Sequence, residues 1–288
     1  MAMSLLLACS ADADVQINSN ADVNVDKDKS KIDTNSPKGV QPFFADNNNP
    51  DIEWELDFTD EFNDEVLNRF KWTKNNSSKS RAARPKIGVK NWYWKPENVR
   101  LQDGKLILEV VKHDRNTMHC GGVFSKDKYE TTYGYMEARI KIADAYKGTH
   151  TAFWLQGKGM SNVDGTANDG AEIDIFESAW LKDFTKCVVH IDGYGSNHKA
   201  NTKKYNTPGI HEGYHVFGLH WSKDFMKIYY DGVLKASYTG DSWIVHANEY
   251  LWLSNGASFG IEGDYFTSQP NGTLTFAQVD YLRVWKQK

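Results

Sequence analysis

From Trp54 to its last residue the chain consists of short runs in which apolar and polar residues alternate, and this pattern restricts its fold more than any other feature. The clearest runs are Lys105-Leu106-Ile107-Leu108-Glu109-Val110-Val111, Tyr133-Gly134-Tyr135-Met136-Glu137-Ala138-Arg139-Ile140, and Met226-Lys227-Ile228-Tyr229-Tyr230. Successive side chains of a strand point to opposite faces, so a period of two buries one face and wets the other. Turn signals separate the runs: Gln102-Asp103-Gly104, Asp231-Gly232 and Asn271-Gly272. No stretch of a dozen residues carries a convincing helical period, and no internal repeat is evident. The pattern predicts an all-β sandwich of two antiparallel sheets. In a sandwich this long, one strongly curved sheet leaves a concave face open as a cleft.

The chain has 288 residues, which suits one large β domain at residues 51–288. With 34 basic and 38 acidic side chains, the net charge of −4 gives no reason to expect a nucleic acid or an anionic membrane as partner. Residues 10–50 are rich in Asp, Asn, Ser and Lys. Such a stretch buries too little surface to offset its ordering entropy, and a disordered polar tether is expected there. Before it, Leu5-Leu6-Leu7-Ala8-Cys9 looks like the end of a bacterial lipoprotein signal, with Cys9 as the lipidated residue. Residues 1–9 are then a truncated signal, and the protein is secreted or held at the cell surface, on a bacterial outer membrane, by a lipid on Cys9 alone. The apolar run is too short to span a bilayer. An artefact of the assigned start is the competing reading. Cys120 and Cys187 are left as a pair or as two buried thiols.

The run Gly170-Ala171-Glu172-Ile173-Asp174-Ile175-Phe176-Glu177-Ser178 carries the strongest chemical signal. Alternation puts Glu172 and Asp174 on one face and Ile173 and Ile175 on the other. Two carboxylates on a core face are costly, so the acidic face looks into solvent or a cleft. Glu177 is out of phase. One extra residue at Ile175-Phe176, a β-bulge, returns it to the acidic side. Glycosidic bond cleavage needs two carboxyl groups flanking the bond, one ionised and one protonated, and a third carboxylate raises a neighbour's affinity for a proton. On a straight strand the Cα atoms of Glu172 and Glu177 lie ~13–16 Å apart, at roughly 3.3 Å per residue. The retaining geometry of about 5–5.5 Å between carboxyl groups therefore requires a bent strand. A solvated acidic strand face is the competing reading.

This run resembles the catalytic signature of glycoside hydrolase family 16 in its bulged Glu-x-Asp-x-x-Glu form. Asp60-Glu61-Phe62-Asn63, Glu97-Asn98-Val99-Arg100, Tyr133 to Arg139, Tyr214 to Trp221, Tyr230-Asp231-Gly232 and Val279 to Trp285 resemble further family segments in the same order, over roughly residues 54–288. The resemblance implies a jelly roll and a retaining double displacement. It makes Glu172 the nucleophile, Glu177 the general acid/base, and Asp174 the group that holds the nucleophile's protonation and orientation.

The resemblance also marks the cleft. The segment from Thr149 to Leu155 is expected as the strand antiparallel to the acidic one, with Trp154 lining the cleft. The family's β-1,3-glucanases usually carry Trp-Pro where this chain has His150-Thr151. His150 is either a sugar contact or a packed histidine, and His190 on the following strand is read as a substrate contact. Trp180 is a stacking platform or a core residue. In Asn91-Trp92-Tyr93-Trp94, at least one aromatic is expected to be exposed, so Trp92 and Trp94 are candidates for stacking on sugar. Arg84, in Arg81-Ala82-Ala83-Arg84-Pro85-Lys86, suits a sulfate or carboxylate. This pattern looks more like the red-algal galactan branches, the agarases, porphyranases and carrageenases, than like the glucanases.

No cofactor is expected for catalysis, since no His/Cys metal spacing occurs. Asp280 matches a structural calcium ligand seen in this fold, or is a turn-capping acid. The expected partner is a polysaccharide, met by a monomer. The alternatives are an endo-β-1,3- or mixed-linkage glucanase, a transglycosylase, and a carbohydrate-binding lectin without turnover.

Overall fold

A computed structural model describes residues 33, 35–44, 51–178, 180–258 and 266–288. The first 32 residues, with Cys9, lie outside the described residues. Eighteen strands form among those described: β1 (Trp54–Asp60), β2 (Thr73–Lys74), β3 (Asn91–Trp94), β4 (Val99–Gln102), β5 (Lys105–Lys112), β6 (Thr117–Cys120), β7 (Gly122–Phe124), β8 (Glu130–Thr131), β9 (Gly134–Lys141), β10 (Thr149–Gly157), β11 (Glu172–Ser178), β12 (Phe184–Ile191), β13 (Lys199–Asn206), β14 (His215–Trp221), β15 (Phe225–Tyr230), β16 (Val233–Thr239), β17 (Glu249–Ala257) and β18 (Gly272–Gln287). They make two sheets. The ten-stranded sheet runs β16-β15-β14-β9-β18-β5-β6-β3, with β1 also on β18 and β4 on β5. The eight-stranded sheet runs β13-β12-β11-β10-β17-β7-β2, with β8 on β17. All pairings are antiparallel except β3 with β6. The predicted all-β sandwich is thus the fold.

The sheets close over one apolar layer. Phe153 and Leu155 of β10 and Ile173, Ile175 and Phe176 of β11 meet Met136 of β9, Phe217 and Leu219 of β14 and Val284 of β18. Burying a side chain of this size is worth roughly 1.5–3 kcal/mol, so the layer dominates the fold's stability. The Phe176 ring stacks on Phe217 of the opposite sheet with centroids 3.7 Å apart. The outer face of the eight-stranded sheet packs against residues 81–94. A second apolar cluster forms there, including Trp92, Trp94, Trp154 and Trp252.

Two expectations change. Residues 35–44 fall in the stretch expected to be a disordered tether, yet they lie on the ten-stranded sheet. Phe44 stacks on Tyr135 at 4.5 Å, the Trp285 indole donates to the Val40 carbonyl at 3.0 Å, and Phe43 N donates to Glu137 Oε2 at 2.9 Å. Val40 and Phe44 supply the apolar contact that the bulk composition of the stretch conceals. Cys120 and Cys187, left open as a pair, are both free buried thiols. Burial pushes the Cys187 thiol up to about 11.

Candidate active site

The bulge stands on β11 where the alternation requires it. Towards β10, Phe153 faces Phe176 and Trp154 faces Asp174, so Ile175 has no partner of its own. Towards β12, Asp174 faces Val188 and Glu177 faces Lys186, so one β12 position spans two residues of β11. The cause is packing. Ile175 and Phe176 are consecutive and both fully buried in the core layer. A regular strand would turn one of them outward. The extra residue lets both point inward and brings Glu177 to the face of Glu172 and Asp174.

The three acids and nine other residues line a cavity of about 220 Å³. Around it stand Arg81, Arg84, Trp92, Trp94, His150, Ala152, Trp154, Tyr194 and Ser254. The acids are scarcely exposed: their side chains keep 13% (Glu172), 4% (Asp174) and 14% (Glu177) of their accessible surface. Tyr194 OH donates a hydrogen bond to Glu172 Oε2. His190 Nε2 lies 3.3 Å from Asp174 Oδ2 and 3.9 Å from Glu172 Oε1, and its Nδ1 bonds His198 Nε2 at 2.8 Å. Lys186 Nζ sits 2.6 Å from Glu177 Oε2.

The three buried carboxyl groups share Lys186 and the charges of Arg81 and Arg84, and burial works against their ionisation. Burial pushes Glu172 up to about 8, with the Asp174 charge adding to it, while His190 and the Tyr194 hydrogen bond pull the other way. Burial raises Asp174 well above the usual carboxylate range, reinforced by Glu177 and opposed by Lys186. Protons are therefore retained on this strand near neutral pH. Burial also pushes His150 down to about 4, so that ring is neutral.

The walls come from several distant segments. Trp154 and Trp252 stack in parallel at 4.5 Å, Trp94 leans on Trp252 at 5.4 Å, and Trp92 meets Trp94 edge-on at 5.3 Å. Each indole of the outer pair is fixed by a donor bond, Trp92 to the Ala82 carbonyl at 2.9 Å and Trp94 to the Asn255 carbonyl at 2.7 Å. The Arg81 guanidinium lies over Trp94 at 4.1 Å and Trp92 at 5.1 Å. Arg84 donates to the carbonyls of Ala82, Ala83 and Ala257. His150 fits against β17 because its register partner is Gly256, where a Cβ would come 2.7 Å from the imidazole.

Most sequence candidates meet here. Glu172, Asp174, Glu177, Trp154, His150, Trp92, Trp94 and Arg84 line the cavity, and His190 touches two of the acids. Trp180 is not among the lining residues; it is half-buried and packs against Phe184 at 5.0 Å. None of Trp92, Tyr93 and Trp94 is exposed, contrary to expectation. The two indoles share the cleft side, and Tyr93 turns the other way to meet His119 at 5.8 Å. Asp280, expected as a calcium ligand or a turn-capping acid, pairs with two cations. Its carboxylate lies 2.6 Å from Lys105 Nζ and 2.5 Å from Arg139 Nη1, and two cations already neutralise it. Sequence reasoning missed Lys186, Tyr194, Trp252 and Ser254. For Lys186 a signal existed, since it lies on the strand expected next to the acidic one.

A family model described as Beta-porphyranase A-D, GH16 domain, matches residues 54–287. Glucan endo-1,3-beta-glucosidase A1 of Niallia circulans is 24% identical over 262 residues, covering 81% of this chain. Keratan-sulfate endo-1,4-beta-galactosidase of Sphingobacterium multivorum is 27% identical over 251 residues, again covering 81%. The chain spans 38% and 56% of the lengths of these two relatives. Among solved structures, a Bacteroides ovatus mixed linkage glucan GH16 in complex with G4G4G3G product superposes with a TM-score of 0.66. That match covers 79% of this chain and 99% of the other at 21% identity, and it shows the shared fold.

Proposed function

Since the chain belongs to glycoside hydrolase family 16, we propose that it is a retaining endo-glycosidase acting on a β-linked polysaccharide, with a sulfated red-algal galactan of the porphyran type as its substrate. The observation that carries the reading is the bulged β11, which turns Glu172, Asp174 and Glu177 into one cleft. In this mechanism the Glu172 carboxylate attacks the anomeric carbon while Glu177 protonates the departing oxygen. Glu177 then takes a proton from the water that releases the glycosyl ester. Asp174 acts on Glu172: while ionised its charge opposes ionisation of that neighbour, and once it holds a proton it leaves Glu172 free to ionise. Glu172 must be ionised to attack. Its raised pKa puts the acid limb of kcat/KM well above the ordinary glutamate range.

Two features favour an anionic galactan. Arg81 and Arg84 border the cleft beside Trp92 and Trp94, joining cations to flat apolar faces. The matching family model is named for porphyranases, and one relative is named for cutting β-galactosidic bonds of keratan sulfate, a sulfated polymer. A glucan is the second reading, favoured by the Niallia circulans relative. On this proposal the enzyme works as a monomer at the cell surface, tethered by a lipid on Cys9. The deciding experiment is reducing-end release from porphyran, agar, carrageenan, laminarin and lichenan, with Glu172→Gln and Glu177→Gln as controls. Release from porphyran is the expected result. Release from laminarin or lichenan alone selects the glucanase. Binding without release on every polymer selects a lectin.

A further inference from the structure

We propose that Lys186 is a positioning residue that couples bond cleavage to an anionic group, a sulfate ester or a uronate carboxylate, on the sugar that leaves. This inference rests on the retaining mechanism proposed above and goes beyond it by assigning a charge preference to the leaving-group side of the cleft.

The case begins with register. Lys186 of β12 lies directly across from Glu177 of β11, and its ammonium touches Glu177 Oε2 at 2.6 Å. Both side chains are largely buried, at 15% and 14% exposure, so water screens the pair weakly. The charged and titratable groups facing Lys186 come from every neighbouring element. Glu177 and Asp174 stand on β11, His150 on β10 and His190 on β12, while Arg84 faces Glu177 from residues 81–84. On β13 the register partner is Lys204, an exposed residue whose ammonium lies over the Phe184 ring.

This contact conflicts with the duty of a general acid. A proton donor must present a free carboxyl oxygen to the glycosidic oxygen, and the Lys186 ammonium occupies Oε2 of Glu177 instead. An oxyanion on the leaving sugar resolves the conflict. Glu177 lines the cavity and Lys186 stands against it just outside the lining, so its ammonium meets a substituent on the departing residue by swinging past Glu177. Lysine suits such a transfer, because it is a compact point charge on a flexible stem. Arg84 is less free to move, with its guanidinium held by three backbone carbonyls.

The sequence of events balances. The ammonium swings from Glu177 to the substrate oxyanion and keeps its three protons. Glu177 takes one proton from solvent. The anomeric C–O bond breaks as that proton passes to the leaving oxygen, and the Glu172 carboxylate forms the glycosyl ester. When the anionic product departs, Lys186 returns to Glu177. Water then attacks the anomeric carbon, its proton goes to Glu177, and the ester bond to Glu172 breaks.

The test compares wild type, Lys186→Met and Lys186→Arg on porphyran and on the same polymer after desulfation at matched chain length. The readouts are kcat and KM, measured separately. Wild type should prefer the sulfated polymer. Lys186→Met should lose that preference by about tenfold, the scale of one charge-assisted hydrogen bond, in kcat as well as in KM. Lys186→Arg should keep part of the preference. An equal loss by Lys186→Met on both polymers, or a retained preference, overturns the assignment of Lys186 while leaving the galactanase reading intact. Wild type that cuts only glucans overturns both.

Discussion

Glu61 and Glu172 are both largely buried carboxylates, at 9% and 13% side-chain exposure, yet they are served differently. Glu61 receives two hydrogen bonds from Arg283, at 2.8 and 2.7 Å, a fork matched to its two oxygens. Its neighbours on the ten-stranded side follow the same rule. Asp60 accepts from the Trp72 indole and from Phe62 N, both at 2.8 Å, and Asp280 lies between two cations. In the cleft, three acids share one lysine in contact, one histidine whose pKa burial holds down, and the charges of Arg81 and Arg84. Acids with dedicated partners support the fold. Acids that crowd one another and share their cations keep protons in play near neutral pH, at some cost in stability, as a reactive site requires.

The largest effect that would break this comparison is on rate. Glu177→Gln should lower hydrolysis by about 10²–10⁴-fold, and Glu172→Gln should reduce it to background, with neither variant less stable than wild type. Reducing-end release and thermal unfolding measure both halves of that statement. Glu177→Ala with azide should yield a β-glycosyl azide, whose absence would contradict the role given to Glu177. Next comes the paired acid. Arg283→Met leaves Glu61 buried with no cation and only the long bond from Ser36 Oγ, and should destabilise the fold by about 3–5 kcal/mol in a denaturant titration while the specific activity of the folded fraction holds. A loss of activity without a loss of stability would erase the distinction between the two regions.

The smallest effect sharpens the comparison through pH. The carboxyl of Glu172 goes from 4.5 to about 8 on folding. Between those values the folded protein holds a proton that the unfolded chain has released. Stability contributed by this group therefore falls as pH rises through that window. Glu172→Gln removes the slope, so the variant should gain on wild type from pH 5 to pH 8 by at most about 1.4 kcal/mol per pH unit. A gap in melting temperature that stays constant over this range would show that the cleft acids are as well compensated as Glu61.

The legible parts of the molecule were local. Alternation within Glu172 to Glu177 announced the acidic face, and the phase of Glu177 announced the bulge, because side-chain direction along a strand depends only on counting residues. The same counting failed at Trp92 and Trp94. It placed them correctly on one face but could not foresee that residues 81–84 and β17 would cover them. Trp252 looked like any apolar strand residue until β17 paired with β10 and put its ring on Trp154. Asp280 matched a pattern, and only the arrival of Lys105 and Arg139 from other strands revealed its charge partners.

By itself, then, the amino-acid sequence determined the strand period, the sandwich, the three acids on one face and the irregularity that unites them. The tertiary structure alone decided which strands lie side by side, and with that the approach of Lys186 to Glu177, Tyr194 to Glu172 and the tryptophans to one another. Lateral order in a sheet is a balance of non-local packing against chain entropy, and no window of neighbouring residues encodes it.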